Sequence, residues 1–169
     1  MHNTNHLFEI LVALEAEKVE FIVAGGVAIV LQGIERATMD LDLSVRMDRG
    51  NLERFLIVMK RLGLTPRAPV PAETILDPEL VEQMVKEKNA IVFTFIDLKN
   101  PFRQVDLFLK PELSYEALAG DVEKFTLSGH QVAILSKQKL ISLKRQVKPL
   151  REKDQFDIQA LERLIGEVR

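Results

Sequence analysis

The sequence predicts an α/β (α+β) fold, a mixed and mostly antiparallel sheet flanked by helices, with a helical unit at the C-terminal end. Three observations carry this. Short β-prone runs alternate with stretches whose apolar residues recur at helical spacing. Residues 21–45, FIVAGGVAIVLQGIERATMDLDLSV, read as strand, glycine turn, short helix, connector and second strand. Towards the C-terminus a hairpin-like pair of runs gives way to two amphipathic stripes.

At 169 residues the chain predicts one domain spanning 1–169, with a core over 1–115 and a C-terminal hairpin and two helices over 116–169. A chain of this length buries roughly 70% of its unfolded surface, so its core needs no staples. The 47% apolar and 28% charged fractions are those of a soluble globular protein. A net charge of −2 provides no global basic field for nucleic acid, so any such contact rests on a local patch. The absence of cysteine excludes disulfides, thiolate metal sites and cysteine nucleophiles. The early apolar run at 7–14 is interrupted by Glu9 and is too short to span a bilayer. The expected address is therefore cytoplasmic, with no membrane partner.

In order, Thr4 or Asn5 can cap a first helix to about residue 19, with Leu7, Ile10, Leu11 and Leu14 on one stripe. Residues 21–24 form a strand broken by Gly25-Gly26, and a short helix over 27–32 stops at Gly33. Residues 40–45 alternate polar and apolar, the pattern of a half-buried strand. Asp48 caps a helix over 51–62 stopped by Gly63. Pro66, Pro69 and Pro71 make 64–71 a loop or an irregular edge. Asp77-Pro78 opens a charged helix to about residue 88. Residues 90–98 are a strong strand, 99–102 a turn, and 103–109 the returning strand of a hairpin. A short helix over 114–119 precedes strands at 122–127 and 131–135, and Ser136 caps a helix to about residue 147. A final helix spans 153–168.

Side chains two apart on a strand share a face, so Asp40 and Asp42 project together while Leu41, Leu43 and Val45 pack inward. Paired carboxylates repel, and a hard cation such as Mg²⁺ relieves that repulsion. On the 103–109 strand Gln104, Asp106 and Phe108 share one face, so Asp106 is a third acid on an apolar-backed strand, as a two-metal site needs. Leu140, Ile141, Leu143 and Val147 form the inward stripe of one C-terminal helix, and Lys144 falls within it. Ile158, Leu161, Leu164, Ile165 and Val168 form the other, with Asp157 inside it and Asp154 beside it. Charges on packed faces are costly unless paired or facing a polar cavity, so Lys144 and Asp157, with Asp154, should meet one another or line a cleft. Gly25-Gly26 has two readings: a cradle for phosphate oxygens, or a tight turn with close packing.

Taken together, Gly25-Gly26, Arg36-x-Thr38-x-Asp40-x-Asp42 and Asp106 resemble the motifs of the nucleotidyltransferase superfamily of the DNA polymerase β type. Lys144, followed by residues 151–158, REKDQFDI, is similar to the C-terminal run of the AbiEii-type abortive-infection toxins. The resemblance covers about residues 20–168. It implies transfer of a nucleoside monophosphate from a nucleoside triphosphate (NTP) to an acceptor, which the sequence leaves open among RNA, protein and small molecules. Asp40, Asp42 and Asp106 would be catalytic and hold Mg²⁺ or Mn²⁺, and Asp106 would help deprotonate the acceptor. Gly25, Gly26, Arg36, Thr38, Lys144 and Asp157 would bind the nucleotide, Lys144 also serving catalysis by neutralising phosphate charge. An arginine in a connector also suits a surface ion pair. A partner protein from a toxin–antitoxin pair follows from the same resemblance. The alternative is a non-catalytic nucleotide- or protein-binding module that retains the fold.

Other chemistries find no support. His2, His6 and His130 are scattered, and neither Ser44 nor Ser136 has a histidine to form a hydrolytic triad with.

Overall fold

A computed structural model describes residues 4–167 of the chain. The side chains of Thr4 and Asn5, expected to cap the first helix, and Val168, expected on the last stripe, lie outside what is described. Helix α1 (Thr4–Ala16) buries Leu7, Ile10, Leu11 and Leu14 as its periodicity requires. Strand β1 (Phe21–Ala24) runs straight into α2 (Gly25–Leu31), followed by β2 (Leu41–Val45) and α3 (Arg49–Arg61). The Asp48 carboxylate caps α3 by accepting from the Asn51 backbone N–H, so the helix starts two residues earlier than its apolar stripe suggests. The proline-rich segment supplies an edge strand, β3 (Leu64–Pro66), and a 3₁₀ turn over Ala72–Leu76 that periodicity did not reveal. Helix α4 (Pro78–Glu87) starts at its proline, and Asp77 caps it by accepting from the backbone N–H groups of Glu79 and Leu80.

The hairpin of β4 (Val92–Asp97) and β5 (Asn100–Phe108) is tighter than expected, because Asn100 already belongs to the returning strand. Helix α5 (Tyr115–Leu118), strands β6 (Val122–Leu127) and β7 (His130–Leu135), and helices α6 (Lys137–Gln146) and α7 (Glu152–Glu167) complete the chain. Val147 departs from expectation. It follows α6 in an extended conformation and is exposed, because Pro149 disfavours helical backbone just before it and the chain leaves the helix early.

Among the described residues seven strands form one sheet, in the order β3-β4-β5-β2-β1-β7-β6. Four of the six pairings are antiparallel; β1–β7 and β2–β5 are parallel. The core gathers on one face, where Leu41, Leu43, Val105 and Leu107 are fully buried. On that side Phe55 of α3 meets Phe95 edge-on, ring centroids 5.5 Å apart. Buried Asn51 ties the ends of β1 and β2 to α3: its side-chain amide donates to the Glu20 and Arg46 carbonyls, and its oxygen accepts from the Glu20 N–H. The opposite face carries the acids, next to α2 and the C-terminal helices.

Candidate active site

Strand register places the acids. Ala24 of β1 lies opposite Asp42 of β2, and Asp42 lies opposite Asp106 of β5. Asp106 in turn lies opposite Thr94 of β4, whose carbonyl accepts from the Arg67 backbone N–H at 2.9 Å. One row across the sheet thus runs Ala24, Asp42, Asp106, Thr94, Arg67. Asp40 sits just before β2, which opens at Leu41 rather than at Asp40 itself. One carboxylate oxygen from each of Asp40, Asp42 and Asp106 lies within 4.8 Å of the others.

That proximity shows in their ionisation. Burial, then the charges of Asp40 and Asp106, push the Asp42 carboxyl up to about 7 against the partial relief of Lys144 and Arg36. Burial, then hydrogen bonding to Asp106 and its charge, raise Asp40, with Lys153 acting the other way. A set of hard oxygen donors whose charges oppose one another suits a divalent cation such as Mg²⁺ or Mn²⁺, so the residues present fit one.

Two glycines let the backbone approach. Gly25 has φ +58°, and a Cβ there would lie 2.0 Å from Asp42 Oδ2. A Cβ on Gly26 would lie 2.6 Å from Thr38 Oγ1, so the buried Thr38 hydroxyl fills the space that a side chain at position 26 would take. Close packing is thus one reason for both glycines. Gly25→Ala should displace the Asp42 carboxylate and strain the turn. We expect a loss of about 2 kcal/mol or more in urea unfolding, from left-handed backbone plus steric clash; unchanged stability would refute the close-approach account.

Beside the acids a cleft of about 360 Å³ is lined by Arg36, Thr38, Met39, Asp40, Gln104 and Lys153. Behind it, α6 and α7 contribute an ion-pair cluster. The Lys144 ammonium lies 2.9 Å from Asp154 Oδ1 and 3.0 Å from Asp157 Oδ2. Arg36 donates to Asp157 Oδ2 at 2.6 Å, and Arg151 donates to Asp154 Oδ2 at 2.7 Å. Lys144 and Asp157 therefore meet, as their positions on packed faces require. Arg36 forms an ion pair as well, with a partner that is buried rather than at the surface.

Site residues expected from the sequence therefore fall into two adjoining groups: the acids with Gly25, Gly26 and Thr38, and the cluster of Lys144, Asp157 and Arg36. Sequence reasoning overlooked Thr94, whose hydroxyl donates to Asp106 Oδ1 at 2.7 Å, and Arg67 and Lys153 near the acids. Thr94 had a signal: it is the only polar side chain inside the apolar run 90–96, and counting the hairpin register places it opposite Asp106.

No protein-family model and no curated protein matches the sequence. Solved structures do. The chain is similar to the lincomycin-bound lincosamide antibiotic adenylyltransferase LnuA, with TM-score 0.63 and 17% identity over 95% of this chain and 96% of that one. It is also similar to the antibiotic-resistance factor ANT(2'')-Ia, with TM-score 0.60 and 16% identity over 100% of this chain and 86% of that one. An antigenic nucleotidyltransferase-like protein from Paracoccidioides brasiliensis follows at TM-score 0.52 and 16% identity, over 93% and 75% of the two chains. The protein has the nucleotidyltransferase fold: a seven-stranded mixed sheet flanked by helices.

Proposed function

We propose that the protein is a metal-dependent nucleotidyltransferase. A hydroxyl oxygen of the acceptor attacks the α-phosphate of an NTP, a new P–O bond forms, and pyrophosphate leaves. The observation that carries this reading is the acid cluster: carboxylate oxygens from Asp40, Asp42 and Asp106 within 4.8 Å, Asp42 and Asp106 opposite each other on neighbouring strands and Asp40 just before the first of them. Bound Mg²⁺ or Mn²⁺ would supply neutralisation of phosphate charge and alignment of the attacking and leaving oxygens. The chain's own residues do the rest. Asp40, Asp42 and Asp106 hold the cation, and Asp106 accepts the acceptor's proton as the P–O bond forms. Thr38, Arg36 and Lys153, which line the cleft, orient the triphosphate, and Gly25 and Gly26 let its phosphates approach the backbone. Lys144, within reach of Asp42 by its charge, offsets negative charge from behind, and Asp157 holds Lys144 and Arg36 in place.

The protein works as one domain over 1–169, the helical C-terminal unit closing one wall of the cleft. Among the described residues no helix is long and apolar enough to cross a membrane, and we place the protein in the cytoplasm. The likeness of the C-terminal run to AbiEii-type toxins makes RNA or a protein a candidate acceptor beside small molecules, and a toxin–antitoxin partner a candidate binder.

The test is incubation with each α-labelled NTP and Mg²⁺ or Mn²⁺, offering cell lysate and total RNA as acceptors. Label should pass to one class of acceptor with the wild type and fall to background with Asp40→Ala, and the labelled species names the acceptor. Metal and triphosphate binding without transfer under any condition would instead favour a binding module.

A further inference from the structure

We infer that Gln104 and Arg67 are positioning residues that hold the Asp106 carboxylate in its working orientation. This rests on the reading of the three acids as a cation site. Gln104 lies two residues before Asp106 on β5, so both project from the same face of the sheet. Its side-chain nitrogen donates to Asp106 Oδ1 and Oδ2, both at 3.2 Å, while the Thr94 hydroxyl donates to Oδ1. An ionised carboxylate offers about four lone-pair positions. Thr94 and Gln104 engage both oxygens of this carboxylate, Oδ1 from two sides and Oδ2 from one, so its plane is fixed. Asp106 is thereby held in one orientation, with Oδ2 the less engaged of its two oxygens.

The amide of Gln104 could present either end to Asp106, and only its NH₂ end is compatible with a carboxylate. Arg67 decides which. Its guanidinium has only donors, and it donates to Gln104 Oε1, so the carbonyl end is held towards Arg67 and the NH₂ end towards Asp106. Arg67 is itself held by the sheet, since its backbone N–H donates to the carbonyl of the same Thr94 that binds Asp106. Arg67, Gln104, Thr94 and Asp106 form a closed set: two backbones fixed by the strand ladder and a side-chain relay that runs from a sheet-edge cation to an active-site acid. Neither Gln104 nor Arg67 stands out in the sequence, because a glutamine on a strand and an arginine just past one are ordinary surface residues. Their place in one set with Asp106 makes the difference.

Outer partners of this kind orient metal-binding carboxylates, and their loss typically weakens metal affinity about 10- to 100-fold. The experiment measures Mn²⁺ affinity without nucleotide, from the paramagnetic signal of free Mn²⁺, on wild type, Gln104→Leu, Arg67→Ala and Arg67→Lys. Metal-free thermal unfolding is recorded in parallel. Gln104→Leu and Arg67→Ala should each weaken Mn²⁺ binding by about tenfold. Arg67→Lys, which keeps a donor, should retain most of the affinity. Because both residues lie towards the surface, metal-free Tm should stay within about 2 °C of wild type. Wild-type affinity in both Gln104→Leu and Arg67→Ala would overturn the inference while leaving the cation site standing. Weakened binding accompanied by a fall of more than about 5 °C in metal-free Tm would make the role structural and overturn it too. A wild type that binds no Mn²⁺ would overturn the cation site and the inference together.

Discussion

Asp42→Asn is expected to stabilise the metal-free protein at pH 8 while abolishing nucleotidyl transfer. Three carboxylates with oxygens inside 4.8 Å repel one another. At an effective dielectric of about 20, two unit charges at this separation oppose each other by roughly 3 kcal/mol. The strain is visible in Asp42, whose carboxyl burial and neighbouring acids push up to about 7. Lys144 and Arg36 offset part of it, so replacing the charge with a neutral amide of the same shape should gain about 2 kcal/mol. For a chain of this size that corresponds to a rise of about 4–8 °C in Tm. Mn²⁺ should reverse the order. At a hundred times its Kd a bound cation stabilises the wild type by about 2.7 kcal/mol, whereas Asp42→Asn should respond little. The two thermal unfolding series, with and without Mn²⁺, should therefore cross. Asp42→Asn melting below wild type without metal would show that the acids are already compensated by the fold, and the argument for a cation would lose its electrostatic basis.

Lys144→Met should be the most destabilising change at the site. The ammonium lies between two buried carboxylates, and removing one partner of a buried pair typically costs 3–5 kcal/mol. Arg151 and Arg36 remain on the far sides of Asp154 and Asp157, so the expected loss lies near the lower end, about 3 kcal/mol, or about 6–12 °C in Tm. The acid limb supplies a second signature. Burial alone would raise the Asp154 carboxyl, but hydrogen bonds from Arg151 and Lys144, with their charges, hold it at about 2, below its ordinary 3.8. A group lowered on folding stabilises above its unfolded value and loses that contribution as pH falls through its folded one. The wild type should therefore lose about 2 kcal/mol from this carboxylate between pH 4 and pH 2. In Lys144→Met the loss over that window should be smaller, because part of the depression is gone. Urea unfolding at pH 7, 4 and 2 measures both effects; equal stability at pH 7 would mean the cluster contributes nothing to holding α6 and α7 on the sheet.

Much of this architecture is legible in the chain itself, and the reason is locality. Alternation over residues 40–45 and 103–109 assigns a face to each acid without reference to any other strand. The caps Asp48, Asp77 and Ser136 act within three residues of themselves, so their helices follow directly. Lys144 and Asp157 are conspicuous because a charge within an apolar stripe needs a partner, and the stripe is a local pattern. Prolines that cannot donate to a ladder likewise limit 64–71 to a loop or an irregular edge, and Leu64–Pro66 takes the edge.

Other features were decided only by the tertiary structure. Periodicity states which way a side chain points and says nothing about which strand lies beside it. The parallel pairing of β2 with β5 brings Asp42 opposite Asp106 across 64 positions of chain (106 minus 42), and the parallel docking of β7 on β1 draws the C-terminal hairpin into the same sheet. Arg36 finds Asp157 at a separation of 121 residues. Such pairings are chosen by the joint burial of apolar faces from segments far apart, each one too short to signal its neighbour. The chain by itself determined most of its secondary elements, the face on which each acid lies and the charges that require partners. Which of those charges are brought together, and which ordinary polar residues come to hold them, was settled only when the sheet assembled, because hydrophobic burial selects a register for the whole layer at once and the polar contacts follow from it.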